Sequence, residues 1–439
     1  MPFHAIRGRV SRMLGHAIAR TAAVNLVSVV VTMFTGILLA RGLGEGGRGM
    51  YAAVVVWFGA ALVLGELGQS VAVTYFVARA PTGAFDVIRK SRLIMATSSF
   101  VIVGIGVLGS SLLAQGNHAL ALCFVVVFPA VGLNALLAPY VYALQALSLS
   151  RWNMVRVSQP VVNLAAVSAW YVTASFTVLS ASICLLLSYA AQLAFAFVYA
   201  RRSMRETVGT PSVGATKLLH FGAMQASSAV PQTLGSSLDR IVLSQASTPA
   251  TLGQYAVAQS VVGAAAPLGT AVASVLFPRL SAFRGEHAER RAIELRVLRR
   301  SALFMAAAVL LLLGISPWAI PLVFGAAFAP AIALTLWSAP TALAQSLLAI
   351  TTTFLRGRGT PGRASGANLL SLGVGGFSMY LLVPPLGARG AALGAFLGSL
   401  CGLVVTILFL RSSAGQVDSS ALISDQQRTP SRPVGVSGG

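Results

Sequence analysis

Apolar residues run along this chain in long blocks, with short polar breaks between them, rather than in the alternation of a half-buried strand or the stripe of a surface helix. Twelve blocks stand out, at about 17–40, 51–77, 93–114, 119–147, 157–174, 178–200, 218–244, 254–278, 301–324, 329–355, 364–383 and 389–410. Each is long enough to cross a hydrocarbon layer of roughly 30 Å as a helix. Gly- and Pro-rich breaks such as "GLGEGGRG" and "GRGTPGR" punctuate them. The pattern predicts an all-α polytopic membrane protein.

Composition agrees: 56% of the 439 residues are hydrophobic and 9% charged, against roughly 25% charged in a soluble domain. The net charge of +21 would suggest nucleic acid in a soluble chain. Here its distribution gives another meaning, and no nucleic-acid partner is expected. With the first residues placed inside, the inward segments carry 27 of the 31 Lys and Arg. The outward loops carry only Arg41, Arg48 and Arg389, and Arg240 falls within a span. That bias is what positive-inside sorting produces, and one missed helix would invert it downstream. Both termini are therefore expected on the cytoplasmic side. The basic stretch 284–300 reads either as a helix lying on the anionic inner leaflet or as a solvated charged helix. The cysteines Cys123, Cys184 and Cys401 form no ligand cluster with the histidines, so no metal site or cofactor is expected.

The two halves resemble each other. At an offset of 204, Gly49–Tyr51–Ala52 falls on Gly253–Tyr255–Ala256, and His16 on His220. At 211, Pro129 falls on Pro340, Asn134 on Gln345 and Leu144 on Leu355. Six helices per half leave both halves in the same orientation, as two parallel lobes around a central cavity. The expected divisions are a first lobe over 1–200, a cytoplasmic linker over 201–217, a second lobe over 218–411 and a disordered cytoplasmic tail over 412–439.

Three stretches carry a family resemblance. "ILLARGLGEGGRGMYAAVVVWFGAALVLGELGQSVAVTYFVAR" resembles the first two helices of the O-antigen type (Wzx-like) lipid-linked oligosaccharide flippases. "LDRIVLSQASTPATLGQYAVAQSVVGAAAPLGTAVASVLFPRLS" looks like their counterpart opening the second half, and "PPLGARGAALGAFLGSL" resembles the turn into the last helix. The resemblance implies the fold of the multidrug/oligosaccharidyl-lipid/polysaccharide exporters. It also implies an activity, moving an undecaprenyl-diphosphate-linked glycan from the inner to the outer leaflet of the bacterial cytoplasmic membrane, beside a polysaccharide polymerase or alone. The sequence departs from acidic-glycan carriers in having two Lys against 29 Arg and few Arg deep in the spans.

Such a carrier needs polar groups facing its cavity and cations for a diphosphate. Asp239 and Arg240 sit about six residues, or roughly 8–9 Å, below the outer end of the seventh span. They serve cargo or gating, or else Arg240 snorkels outward and Asp239 makes a structural interhelix bond. Glu66, deep in the second span, is either an ion-coupling carboxylate or a structural partner for Arg92 or Arg151. Asn25, Gln225, Asn134 and Gln345 are uncharged polar candidates, the last two related by the repeat, and all could equally be packing amides. Tyr140, Tyr142 and Trp152 are candidates to stack on sugars. The rival function is an ion-coupled small-molecule exporter of the same fold. An enzyme is disfavoured, because no nucleophile–base pair or phosphate-binding Gly loop is present.

Overall fold

The computed structural model describes residues 2–173, 175–204, 213–264, 287–358 and 360–426, and among these the regular structure is entirely helical. In lipid no water satisfies backbone groups, so a chain this apolar must make its hydrogen bonds within each crossing segment. Helix α1 (Pro2–Glu66) holds the first two crossings. It reverses at Gly44, where φ is 66° and ψ −174°. A Cβ there would touch nothing within 4 Å, so the backbone angle rather than crowding calls for glycine.

The second crossing breaks after Glu66, at Leu67 (φ 45°) and Gly68 (φ 67°), and resumes as α2 (Gln69–Arg79). The third is α3 (Ala84–Leu108) with α4 (Ser110–Leu113), and the fourth is α5 (His118–Val127) with α6 (Pro129–Leu147). Helices α7 (Leu149–Thr173) and α8 (Val178–Met204) complete the first lobe. The second lobe opens with α9 (Ala215–Gly235), α10 (Leu238–Ala246) and α11 (Pro249–Gly263). It closes with α12 (His287–Phe324), α13 (Ala331–Gly357), α14 (Pro361–Leu386) and α15 (Ala388–Gln426).

Eight described stretches are long and apolar enough to cross a membrane, and one of them, Ala23–Glu66, folds back on itself at Gly44. The interrupted or more polar α7 and α9–α10 supply two more. Helix α11 opens the eighth, the rest of whose expected span (254–278) falls within 265–286, outside the described residues. This is the order of two six-helix lobes. The linker expectation falls in part on 205–212 and the tail expectation on 427–439, both outside the described residues. Helix α15 itself continues to Gln426.

Large side chains such as Phe100, Leu108, Leu303, Trp318 and Tyr380 are more than 70% exposed, as a lipid-facing surface requires. Inside, one apolar cluster crosses from lobe to lobe, from Ala52, Phe124 and Phe128 to Leu243, Tyr255 and Ala391. Helix α12 is one rod of 38 residues, roughly 57 Å long. Its basic first turns therefore extend the ninth crossing instead of forming a separate in-plane helix. They are clamped by Glu294, which accepts from Arg290 (3.3 Å) and pairs with Arg358. Arg358 also donates to the Leu410 carbonyl (2.7 Å), tying α12, α13 and α15 together.

The lobes meet at both ends. Near Gly44, α1 and α11 approach so closely that a Cβ on Gly49 would lie 1.7 Å from the Pro249 carbonyl oxygen. One on Gly253 would lie 2.1 Å from that of Glu45. Glu45 and Pro249 are themselves related by the offset of 204, as are Gly49 and Gly253. The contact is self-complementary about the repeat axis. At the opposite, Arg-rich end, Gly68 packs on Gly222, Tyr75 stacks on Phe221 at 4.7 Å, and Lys90 donates to the Val213 carbonyl at 2.7 Å.

Candidate functional site

The seventh crossing is where the structure departs most from a continuous span. Helix α9 carries Pro231 near its end and stops at Gly235, and α10 begins at Leu238 after the two serines. Asp239 thus lies in the first turn of α10, where the positive end of the helix favours an anion. It is 4% exposed. Its Oδ1 accepts from the Arg240 backbone N–H at 2.8 Å. Its Oδ2 accepts from the Tyr255 hydroxyl at 2.7 Å and the Gln259 amide at 3.1 Å. All its neighbours are donors, so the carboxylate is a built-in anion that fastens α10 to α11.

Arg240 is only loosely paired with it, Nε to Oδ1 being 3.8 Å. The guanidinium Nη2 donates to the Ser236 carbonyl (3.2 Å) and the Ser237 hydroxyl (3.0 Å), which leaves Nε without a hydrogen-bond partner. Arg240 lines a cavity of about 420 Å³ between the lobes, together with Thr35, Tyr51, Gln159, Asn163 and Gln259. Arg48 lines it from the other lobe. Sequence reading assigns Arg48 to an outward loop, yet with the turn compressed into Gly44 it sits in the first turns of the second crossing. Its Nε is buried and unpartnered, as is the Asn163 Oδ1. No carboxylate is among the described lining residues. The signal for Arg48 was its place four residues after a glycine reversal, on the face that carries Tyr51 one turn later.

Glu66 belongs to a second network, inside the first lobe. It accepts from the Asn134 amide at 3.2 Å and is hydrogen-bonded by the Tyr142 hydroxyl. Tyr189 donates to the Asn134 Oδ1 at 3.0 Å. Asn134 is therefore a partner of Glu66, not a mirror of Gln345 across the central cavity. Among the described residues Glu66 has no ion-pair partner, and the expected pairing with Arg92 or Arg151 is not seen. Arg92 contacts Tyr140 and Arg151 reaches Ser203.

Gln345 lines a different cavity, of about 410 Å³, between α9, α11, α13, α14 and α15. Gln232, Thr341, Asn368 and Ser399 share it, and no ionised side chain is among its described lining residues. Gln259 lines both cavities. Asn25 and Gln225 line neither. Nor do the aromatic candidates. Tyr140 packs edge-on against Phe197, Tyr142 is engaged by Glu66, and Trp152 lies under the Arg156 guanidinium at 4.4 Å.

Two six-helix lobes with a polar cavity between them, and apolar surfaces turned to lipid, define a membrane carrier. The chain belongs to the polysaccharide biosynthesis protein family, whose sequence profile matches residues 15–284. It is a membrane transporter or flippase of that family. Its fold is similar to that of the lipid II flippase MurJ in an inward closed conformation. The TM-score is 0.75 at 12% identity, over 90% of this chain and 87% of that one. An inward-facing multidrug transporter of the MATE family matches at 0.68 and 15% identity, over 89% and 96% of the two chains. A eukaryotic MATE transporter matches at 0.64 and 16% identity, over 90% and 94%. No curated protein sequence matches the chain.

Proposed function

We propose that this protein carries an undecaprenyl-diphosphate-linked oligosaccharide from the inner to the outer leaflet of the bacterial cytoplasmic membrane, by alternating access of its inter-lobe cavity. The product would feed a cell-surface polysaccharide, with a polymerase in the same membrane as the natural next step. The observation that carries this reading is the acid-free cavity between the lobes, with Arg48 from one and Arg240 from the other, each with an unpartnered guanidinium nitrogen. Guanidinium groups are planar donors matched to phosphate oxygens, and they bind most strongly where water is excluded. An anion bridging the two lobes would stabilise their approach, which couples cargo binding to a change of access. The Arg-rich end of the bundle supports a cytoplasmic placement for both termini.

An exporter of organic cations is served poorly by this cavity, which offers two cations and no carboxylate. The family membership supports a glycan carrier instead. The test is the leaflet distribution of lipid-linked glycan in cells lacking the protein, read with an external sugar-labelling reagent. Accumulation on the inner leaflet, rescued by the wild type and not by Arg48→Ala or Arg240→Ala, is expected. An unchanged pool, with altered sensitivity to small cationic compounds, would overturn the reading.

A further inference from the structure

We infer that the cavity inside the second lobe is a subsite for an uncharged sugar residue of the cargo, adjacent to the site that holds its diphosphate. The inference rests on the carrier function proposed above. A phosphate would look for guanidinium or ammonium groups and a cation for carboxylates. The described lining residues of this cavity include neither, the nearby Arg356 guanidinium being engaged with the Gln232 Oε1 at 3.1 Å. It offers amides and hydroxyls from five helices: Gln232, Gln259, Thr341, Gln345, Asn368 and Ser399. Such a set suits a neutral polyol, whose hydroxyls both donate and accept.

Asn368 points the same way. It is 6% exposed, and its amide nitrogen is buried without a hydrogen-bond partner. An orphaned buried donor costs stability, and a leucine of similar size would remove that cost. A ligand hydroxyl would satisfy it. Position supplies the third argument. Gln259 lines both cavities, and its amide donates to the Tyr255 hydroxyl (2.8 Å) as well as to Asp239. A sugar attached directly to a diphosphate needs two such neighbouring chambers, one cationic and one neutral. Gln259 forms a wall common to both, and the Asp239 it donates to also carries Arg240 of the first.

The experiment compares two probes on the full chain in lipid nanodiscs: undecaprenyl diphosphate, and the same lipid carrying one N-acetylhexosamine. The wild type should bind the glycosylated probe roughly tenfold more tightly. Asn368→Leu should bring that probe down to the affinity of the bare one, and Arg240→Ala should weaken both. Ser346→Leu, on α13 in the lining of the same cavity, replaces Asn368→Leu should the latter fail to fold. Equal affinities in the wild type, or discrimination that survives both cavity substitutions, would show a water-filled polar void and overturn the subsite alone. Binding of neither probe by the wild type would remove the diphosphate reading, and this inference with it.

Discussion

Glu66 and Asp239 are held by the same kinds of donor and placed at opposite ends of a helix. Each accepts from one tyrosine hydroxyl and one side-chain amide, Tyr142 with Asn134 and Tyr255 with Gln259. Each also sits at a break in its crossing. Asp239 opens a helix, beside a backbone N–H and a guanidinium, so its negative charge is matched on every side. Glu66 ends α1 three residues before α2 begins, and no described cation pairs with it. The lesson is that hydrogen-bond partners alone do not define what a buried acid does. The first arrangement fixes a charge and with it the shape of the seventh crossing. The second holds a carboxylate by hydrogen bonds alone, with no described cation beside it.

Four substitutions sharpen or break this contrast. The largest effect is expected of Asp239→Ala, which strands Tyr255, Gln259 and Arg240 around an empty position. It should cost about 3 kcal/mol, read as thermal unfolding in detergent. A loss no greater than that of Glu66→Ala would end the distinction. Next, Arg48→Ala should weaken undecaprenyl diphosphate binding roughly tenfold, or about 1.4 kcal/mol, while leaving the unfolding temperature near that of the wild type. Tyr255→Phe should cost about 1 kcal/mol of stability, for the lost hydrogen bond to Asp239 and the one accepted from Gln259, whose amide keeps Asp239 as its acceptor. Smallest in stability is Glu66→Gln, which keeps the hydrogen-bond geometry and should stay within about 1 kcal/mol of the wild type. Its effect should appear in proteoliposome transport, where a proton or sodium gradient accelerates the wild type and not the variant. A variant that still responds to the gradient would assign Glu66 to structure.

The crossings were legible in the sequence because apolar length and the side on which arginines fall are one-dimensional signals. The repeat was legible for the same reason, since a constant offset needs no coordinates. What sequence could not show was depth and direction. Arg48 counts as a loop residue until Gly44 alone is seen to make the turn. The seventh span reads as continuous, although Gly235, Ser236, Ser237 and then Asp239 spell a helix stop followed by a helix start. Asn134 and Gln345 are equivalent in sequence and unlike in surroundings, because the acid that engages the first has no counterpart in the lining of the cavity beside the second.

The seam of Gly49 and Gly253 carries a consequence for origins. Glu45 meets Gly253 as Pro249 meets Gly49, each half offering the other the same surface about a two-fold axis. That is the geometry of an isologous homodimer contained within one polypeptide. A six-helix ancestor that paired with a parallel copy of itself would have touched at this point. A glycine there would have been needed in both copies at once, because a side chain on either would have struck the backbone of its twin. A circularly permuted chain that begins with the second lobe should preserve the seam and elute from size exclusion as a folded monomer, and aggregation of the permuted chain would argue against that descent. The duplicated halves were afterwards free to diverge: Asp239 falls on Thr35 across the same offset, so one lobe carries a carboxylate where the other carries a hydroxyl.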